Sequence, residues 1–327
     1  MPRPTAGDHV VVIWPTGAVE MEISRLTSAR ASNRAAQAGV QVTRGAVTAE
    51  VWQLPDCLRA LRHTFLAVWE VGPPASAVGA RHNDWVPLYR DEAVVLRTHK
   101  LGEADRIITL LTRHHGLVRA VAKGVRRTTS RWGARLEPFT HVDLQLAQGR
   151  SLDTITQAET LTPFHGHMAL DYDRYTAATV MLETAEKLVV EEREPAVQQF
   201  LLLVGGLRAM VAGDHPPGQV LDSYLLRSLA VAGYAPSFGH CVRCGTEGPH
   251  RFFHPSAGGV LCVVCRIPGS ATPAPETLQL LGALLAGDWP FVHASDPRNR
   301  KEASGLVAAY LAWHLERGLR SLAYVER

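Results

Sequence analysis

Lysine is scarce in this chain: only Lys100, Lys123, Lys187 and Lys301 occur among 327 residues, and none follows a glycine. The G-x-x-x-x-G-K-[ST] loop that cradles nucleotide phosphates is therefore absent. H-E-x-x-H and G-x-S-x-G are missing as well, which removes the zinc-protease and nucleophile-elbow patterns. No run approaches the ~18 uncharged apolar residues of a membrane-spanning helix. The chain does not open on a charged segment followed by an apolar one, so the expected location is the cytoplasm. Cysteine is sparse too, at five residues, which makes the placement of four of them informative.

Cys241, Cys244, Cys262 and Cys265 form two C-x-x-C pairs separated by seventeen residues. Each pair brings two thiolates to one side of a tight turn, and the segment between is long enough to fold back and complete a tetrahedron. The spacing predicts one structural Zn²⁺ held by four cysteines. Two disulfides would need an oxidising compartment, and a thioredoxin-like site would need one C-x-x-C beside a βαβ pattern. A zinc deaminase would carry H-x-E upstream of its cysteines. The H-x-E here, His314-Leu315-Glu316, lies downstream in a predicted helix. His240, His250 and His254 read as loop or surface histidines, and Cys57 as a lone thiol.

The formal net charge of +3 conceals an asymmetry. Val86 to Arg150 carries twelve Arg/Lys against six Asp/Glu, a net of +6, which leaves the remainder at −3. Basicity concentrated in one segment points to a polyanion contacted by one domain. That segment reads as β structure. Ala93 to Thr98, Arg106 to Thr112 and Leu117 to Ala122 are short runs rich in Val, Ile, Leu and Thr, with His115-Gly116 as a hairpin turn. Phe139 to Leu146 alternates, with Val142, Leu144 and Leu146 on one face. Ser151 to Ala158 is a fifth run. Five strands in about 70 residues predict a small closed barrel of the oligonucleotide-binding type.

Between the third and fourth runs lies KGVRRTTSRWGAR, Lys123 to Arg135, with Lys123, Arg126, Arg127, Arg131 and Arg135 and no acid. Cations on a glycine-containing loop can follow a phosphate backbone, and Trp132 is placed to stack on a base. With Lys100, Arg106 and Arg119 these residues make up the expected nucleic-acid site. A solvated loop, and packing of Trp132 onto the barrel, are the plainer alternatives. Acidic pairs such as Asp171/Asp173 and Glu191/Glu192 read as solvated helix faces, although a metal-dependent hydrolase would also use such pairs.

The stretch Tyr89 to Phe139, the strand Thr140 to Leu146, the helical region after Pro163, the cysteine quartet and the segment Tyr310 to Leu322 together resemble the bacterial RecO family of recombination and repair proteins, in its zinc-containing actinobacterial form. The resemblance implies an α+β fold, with an OB-fold barrel at 86–162 followed by an all-α domain at 163–327 that carries a zinc finger at 238–267. It also implies a nucleoid-associated, non-enzymatic mediator. Such a protein binds single- and double-stranded DNA, anneals complementary strands, contacts the single-stranded-DNA-binding protein, and works with RecR to load RecA. A zinc-ribbon and OB-fold module that binds RNA in transcription or translation is the alternative.

Helical periodicity supports the second domain. Val197, Phe200, Leu201, Val204, Leu207 and Val211 repeat at helical spacing, with Gly213 placed to end the helix, and Ala177, Val180, Met181, Leu188 and Leu221, Tyr224, Leu225, Leu229 form similar stripes. Leu306, Tyr310, Trp313 and Arg317 lie along one side of the last helix, with both aromatics expected to pack. Residues 1–85 lack a comparable pattern beyond a short amphipathic stretch at Leu58, Leu61, Phe65 and Val68. The expectation for them is a poorly ordered extension or a misassigned start, since family-like sequence begins at Val86, which a GTG start codon would encode.

Overall fold

The five short runs of the basic segment close into a barrel in a computed structural model that describes residues 9–14, 17–22 and 86–327, apart from 131, 190, 316, 317, 326 and 327. His9–Trp14 (β1) and Gly17–Glu22 (β2) pair antiparallel as a hairpin. The expectations for Cys57 and for the stretch 58–68 lie outside the described residues.

The barrel strands are Leu88–Leu101 (β3), Asp105–Thr112 (β4), Gly116–Ala122 (β5), Thr140–Ala147 (β6) and Asp153–Pro163 (β7). Their order is β3-β4-β5-β7-β6, closed by β6 on β3. All pairings are antiparallel except β5 with β7, where Ala120 and Val121 pair in parallel with Asp153 and Thr154. This is the topology of the oligonucleotide-binding barrel. β3 is long because its first half pairs with β6 and its second half with β4, the register shifting between Val95 and Arg97. Ala93 and Val95 point into the barrel core with Ile108, Leu110, Val142, Leu144 and Leu146, whereas Val94 and Leu96 face outward into the helical core. Burial on both faces explains why Ala93 to Leu96 is an unbroken apolar run rather than an alternating one.

Among the described residues seven α-helices follow: His165–Met168 (α1), Tyr172–Leu188 (α2), Val197–Ala212 (α3), Pro217–Val231 (α4), Pro275–Ala286 (α5), Trp289–Ala294 (α6) and Pro297–His314 (α7). Asp171 caps α2 by accepting from the Arg174 N–H at 3.1 Å, so this acid is a helix start rather than a solvated face. Gly213 ends α3 in the left-handed conformation, φ 75°. The α3 stripe is rotated from its sequence reading: Leu203 is fully buried and Leu201 is exposed. The last helix departs further. Its buried face runs through Ala303, Val307, Tyr310 and Leu311, and Trp313, expected to pack, lies beyond the edge of that face and is 60% exposed.

Between α4 and α5 the cysteine segment forms a hairpin of Phe252–His254 (β8) and Gly259–Leu261 (β9). Phe253 is buried against Phe238 and Tyr310, so the hairpin rests on α7. Gly259 has φ 150°, and a Cβ there would meet the Ser237 carbonyl oxygen at 2.3 Å; only glycine permits this approach.

Candidate nucleic-acid interface and metal centre

Strand register collects the cations. Lys100 lies opposite Arg106 across β3–β4, and Arg106 opposite Ala122 across β4–β5, so Lys100, Arg106 and the adjoining Lys123 reach the same end of the barrel. The loop that continues from Lys123 is tied back onto the β3–β4 turn. The Arg126 N–H donates to the Ala104 carbonyl at 2.9 Å, the Gly124 N–H to Asp105 Oδ1 at 2.7 Å, and Arg126 Nη1 to the Gly102 carbonyl at 3.2 Å. Gly124 takes φ 69°, which a Cβ-bearing residue would resist. These bonds fix the loop backbone while Lys100, Lys123, Arg126 and Arg127 stay exposed. None of the four pairs with a carboxylate among the described residues.

The remaining predicted cations are placed differently. Arg106 is half-buried and bound to Glu137 at 2.8 Å, and Arg119, mid-strand on β5, faces Glu192 at 4.0 Å. Arg135 lies over β6 and β7, lining a polar recess of about 300 Å³ with Arg90, Asp143 and Glu159. Arg131 is outside the described residues. Trp132 requires a correction. It is 3% exposed in the barrel core, beside Leu136, and its indole N–H donates to the Lys123 carbonyl at 2.9 Å. Its ring faces are occupied by packing and offer no platform for a base; instead the side chain anchors the root of the basic loop.

The opposite end of the barrel is docked to the helical domain through groups that sequence reasoning missed. Asp153, whose side chain is fully buried, accepts from Arg193 Nη2 at 2.6 Å, Tyr89 Oη at 2.5 Å and the Gly149 N–H at 2.9 Å. Burial, together with the hydrogen bond to Asp153, holds the Tyr89 hydroxyl protonated well above its ordinary range. Arg193, at φ 68°, also donates its N–H to the Leu117 carbonyl at 3.0 Å. Burial raises the Asp91 carboxyl, and hydrogen bonds from His115 and His114 more than reverse this, so it titrates below the usual range.

The four cysteine sulfurs converge, all within 4.8 Å of one another. Cys244 Sγ and Cys262 Sγ are 3.8 Å apart. That is too far for a disulfide, and it matches the edge of a tetrahedron whose centre lies about 2.3 Å from each sulfur, the Zn–S distance. Backbone N–H groups of Cys262, Cys244 and Arg243 lower the Cys241 thiol to about 6, while hydrogen bonding with Cys262 and Cys244 pushes Cys265 up to about 12. Four clustered thiols cannot all ionise unaided; a divalent cation supplies the charge that lets them. Among the described residues no histidine joins the cluster: His250 Nε2 lies 2.7 Å from the Thr246 carbonyl and His254 Nδ1 2.8 Å from Ser256. Among the described residues the quartet is the one convergent set of metal-binding side chains.

Comparison with known proteins agrees in both domains. Residues 86–164 match the family model described as recombination protein O N terminal, and residues 169–323 match recombination protein O C terminal. A protein from Nocardioides sp. described as DNA repair protein RecO is 80% identical over 243 residues, all of that protein and 73% of this chain. Proteins of the same description from Streptomyces coelicolor and Frankia casuarinae are 62% and 58% identical over 246 and 242 residues, 99% and 100% of their lengths and 73% and 74% of this chain.

Proposed function

The chain belongs to the recombination protein O family of DNA repair proteins, and from that premise we propose that it binds single- and double-stranded DNA, anneals complementary strands and helps RecR load RecA onto DNA coated by single-stranded-DNA-binding protein. The observation that carries this reading is a set of exposed cations at one end of the barrel, Lys100 near the end of β3 and Lys123, Arg126 and Arg127 on the backbone-tethered loop, with no carboxylate partner among the described residues. Neutralising phosphates there releases counterions and lowers the repulsion between two strands. Base pairing then supplies the annealing energy, so the protein acts as a cytoplasmic mediator rather than an enzyme. No described helix is long and apolar enough to cross a membrane. The relatives are DNA repair proteins, which favours DNA over RNA as the polyanion.

Arg126→Glu combined with Arg127→Glu tests the interface. Anisotropy of a labelled oligonucleotide across a salt series should show weaker binding and a log K against log salt slope flatter by about 1.4–1.8, two phosphate contacts' worth. Annealing of strands coated with single-stranded-DNA-binding protein should fall in parallel; an unchanged slope would remove the loop from the site.

In the same reading the cysteine quartet holds one structural Zn²⁺, which folds the β8–β9 hairpin onto α7. Cys262→Ser should lower zinc content and melting temperature while the folded fraction keeps its DNA affinity. Metal analysis beside a binding titration checks both.

A further inference from the structure

The basic loop does not end at its cations. It runs through Pro138 and Phe139 into one wall of a cleft of about 460 Å³ between the barrel and α2, lined also by Arg97, Tyr175, Arg320 and Tyr324. Two features of this cleft bear on a ligand. Tyr175 and Tyr324 both line it and expose 47% and 66% of their surface. Phe139 adopts φ 67°, a left-handed conformation that costs a non-glycine residue energy. That conformation seats the buried Phe139 ring edge-on against Tyr175, with centroids 5.5 Å apart, which holds the Tyr175 ring while leaving it exposed.

The charges suit a nucleotide as well. Both acids of the cleft are already engaged: Glu186 binds Arg97 at 2.7 Å, and Glu183 accepts from the Arg320 and Ser321 N–H groups at 2.9 Å each. The Arg97 side chain remains 54% exposed beside Glu186, and Arg320 is exposed. Along β3, Arg97 is followed by exposed His99 and Lys100, so a line of polar and cationic side chains joins the cleft to the basic loop. Exposed aromatic rings beside such a track are the means by which proteins hold unpaired bases without reading their sequence.

We propose that this cleft receives an unstacked base of single-stranded DNA, stacked on Tyr175 and Tyr324, while the adjoining phosphates follow β3 to the basic loop. The inference rests on the basic loop binding DNA and adds a contact that only an unpaired strand can make. A bound strand would then be held with one base turned away from its neighbours.

The test separates stacking from charge. Tyr175→Ala with Tyr324→Ala should reduce affinity for labelled oligo-dT by about tenfold or more, leave its salt slope unchanged, and leave affinity for a blunt duplex unchanged. Tyr175→Phe should retain full affinity, because the ring persists. The Arg126/Arg127 charge reversal fails in the opposite way, flattening the salt slope for both substrates. Equal loss on single strand and duplex in a variant of normal melting temperature would overturn the proposal, and so would unchanged oligo-dT binding, which would leave the cleft to a protein partner. Either result would leave the basic-loop reading standing on its own slope.

Discussion

The barrel carries cations at both ends, and the two ends spend them differently. Where β4 turns into β5, Arg193 is bound to buried Asp153, Arg113 to Glu92 at 3.3 Å, and His114 and His115 to buried Asp91. At the far end Lys100, Lys123, Arg126 and Arg127 have no carboxylate partner among the described residues. The first set is a joint. A partly buried cation lacking its acid would be penalised there; Arg193–Asp153 ties the helical domain to the barrel, and the Asp91 and Glu92 pairs brace the β4–β5 turn against β3 within the barrel. In the proposed reading the second set meets an anion from outside the protein, and an internal acid there would compete with phosphate. Charge density alone does not separate the two; pairing does.

The sharpest way to break the comparison is Asp153→Ala. It leaves the Tyr89 hydroxyl, the Gly149 N–H and the Arg193 guanidinium without their shared acceptor and should cost about 3 kcal/mol of stability, read as a lower denaturation midpoint. The joint and the surface are separate devices if the folded protein keeps its DNA affinity and salt slope. Loss of DNA affinity in molecules shown to be folded would mean that docking shapes the far end, and joint and surface would be one device. The charge reversal at Arg126 and Arg127 is the mirror experiment, with its effect on DNA and little on stability, since both side chains are exposed.

What could be read ahead of the structure follows this division. The five strands were legible because half-buried strands write their period into the sequence, as Val142, Leu144 and Leu146 do. The quartet was legible because metal ligands demand fixed spacing. The joint was not, because Asp153, Arg193 and Tyr89 lie 40 and 64 residues apart along the chain and meet only in three dimensions. Arg106 pairs with Glu137, 31 residues away, a partner that local composition does not reveal. Trp132 misled for a related reason. Its charged neighbours suggest exposure, yet the loop doubles back and inserts the indole between barrel strands, a contact set by tertiary packing rather than by local composition. Trp313 failed in the other direction, because helical spacing defines a stripe and not which edge of the stripe the partner covers.

The smallest effect expected sharpens the joint further. His141, on β6, is 5% exposed against Phe200 of α3, and neither ring nitrogen has a hydrogen-bond partner. Burial lowers its pKa, opposed by Glu92 and reinforced by Arg208 and Arg113. The folded protein therefore holds this ring neutral in a range where the unfolded chain, with a value of about 6.5, takes up a proton. Between those two values the unfolded state binds more protons, so stability rises with pH; on acidification it begins to fall near the unfolded value and the loss is complete below the folded one. His141→Phe keeps an aromatic ring beside Phe200 and removes the titration. It should flatten the melting temperature between pH 5 and 7 relative to the parent, by a degree or two on the order expected for a fraction of a kcal/mol. A parent whose melting temperature does not change across that range would show that the joint tolerates a charged imidazole, through Glu92 at 3.8 Å, and that its acids are placed to neutralise histidine as well as arginine.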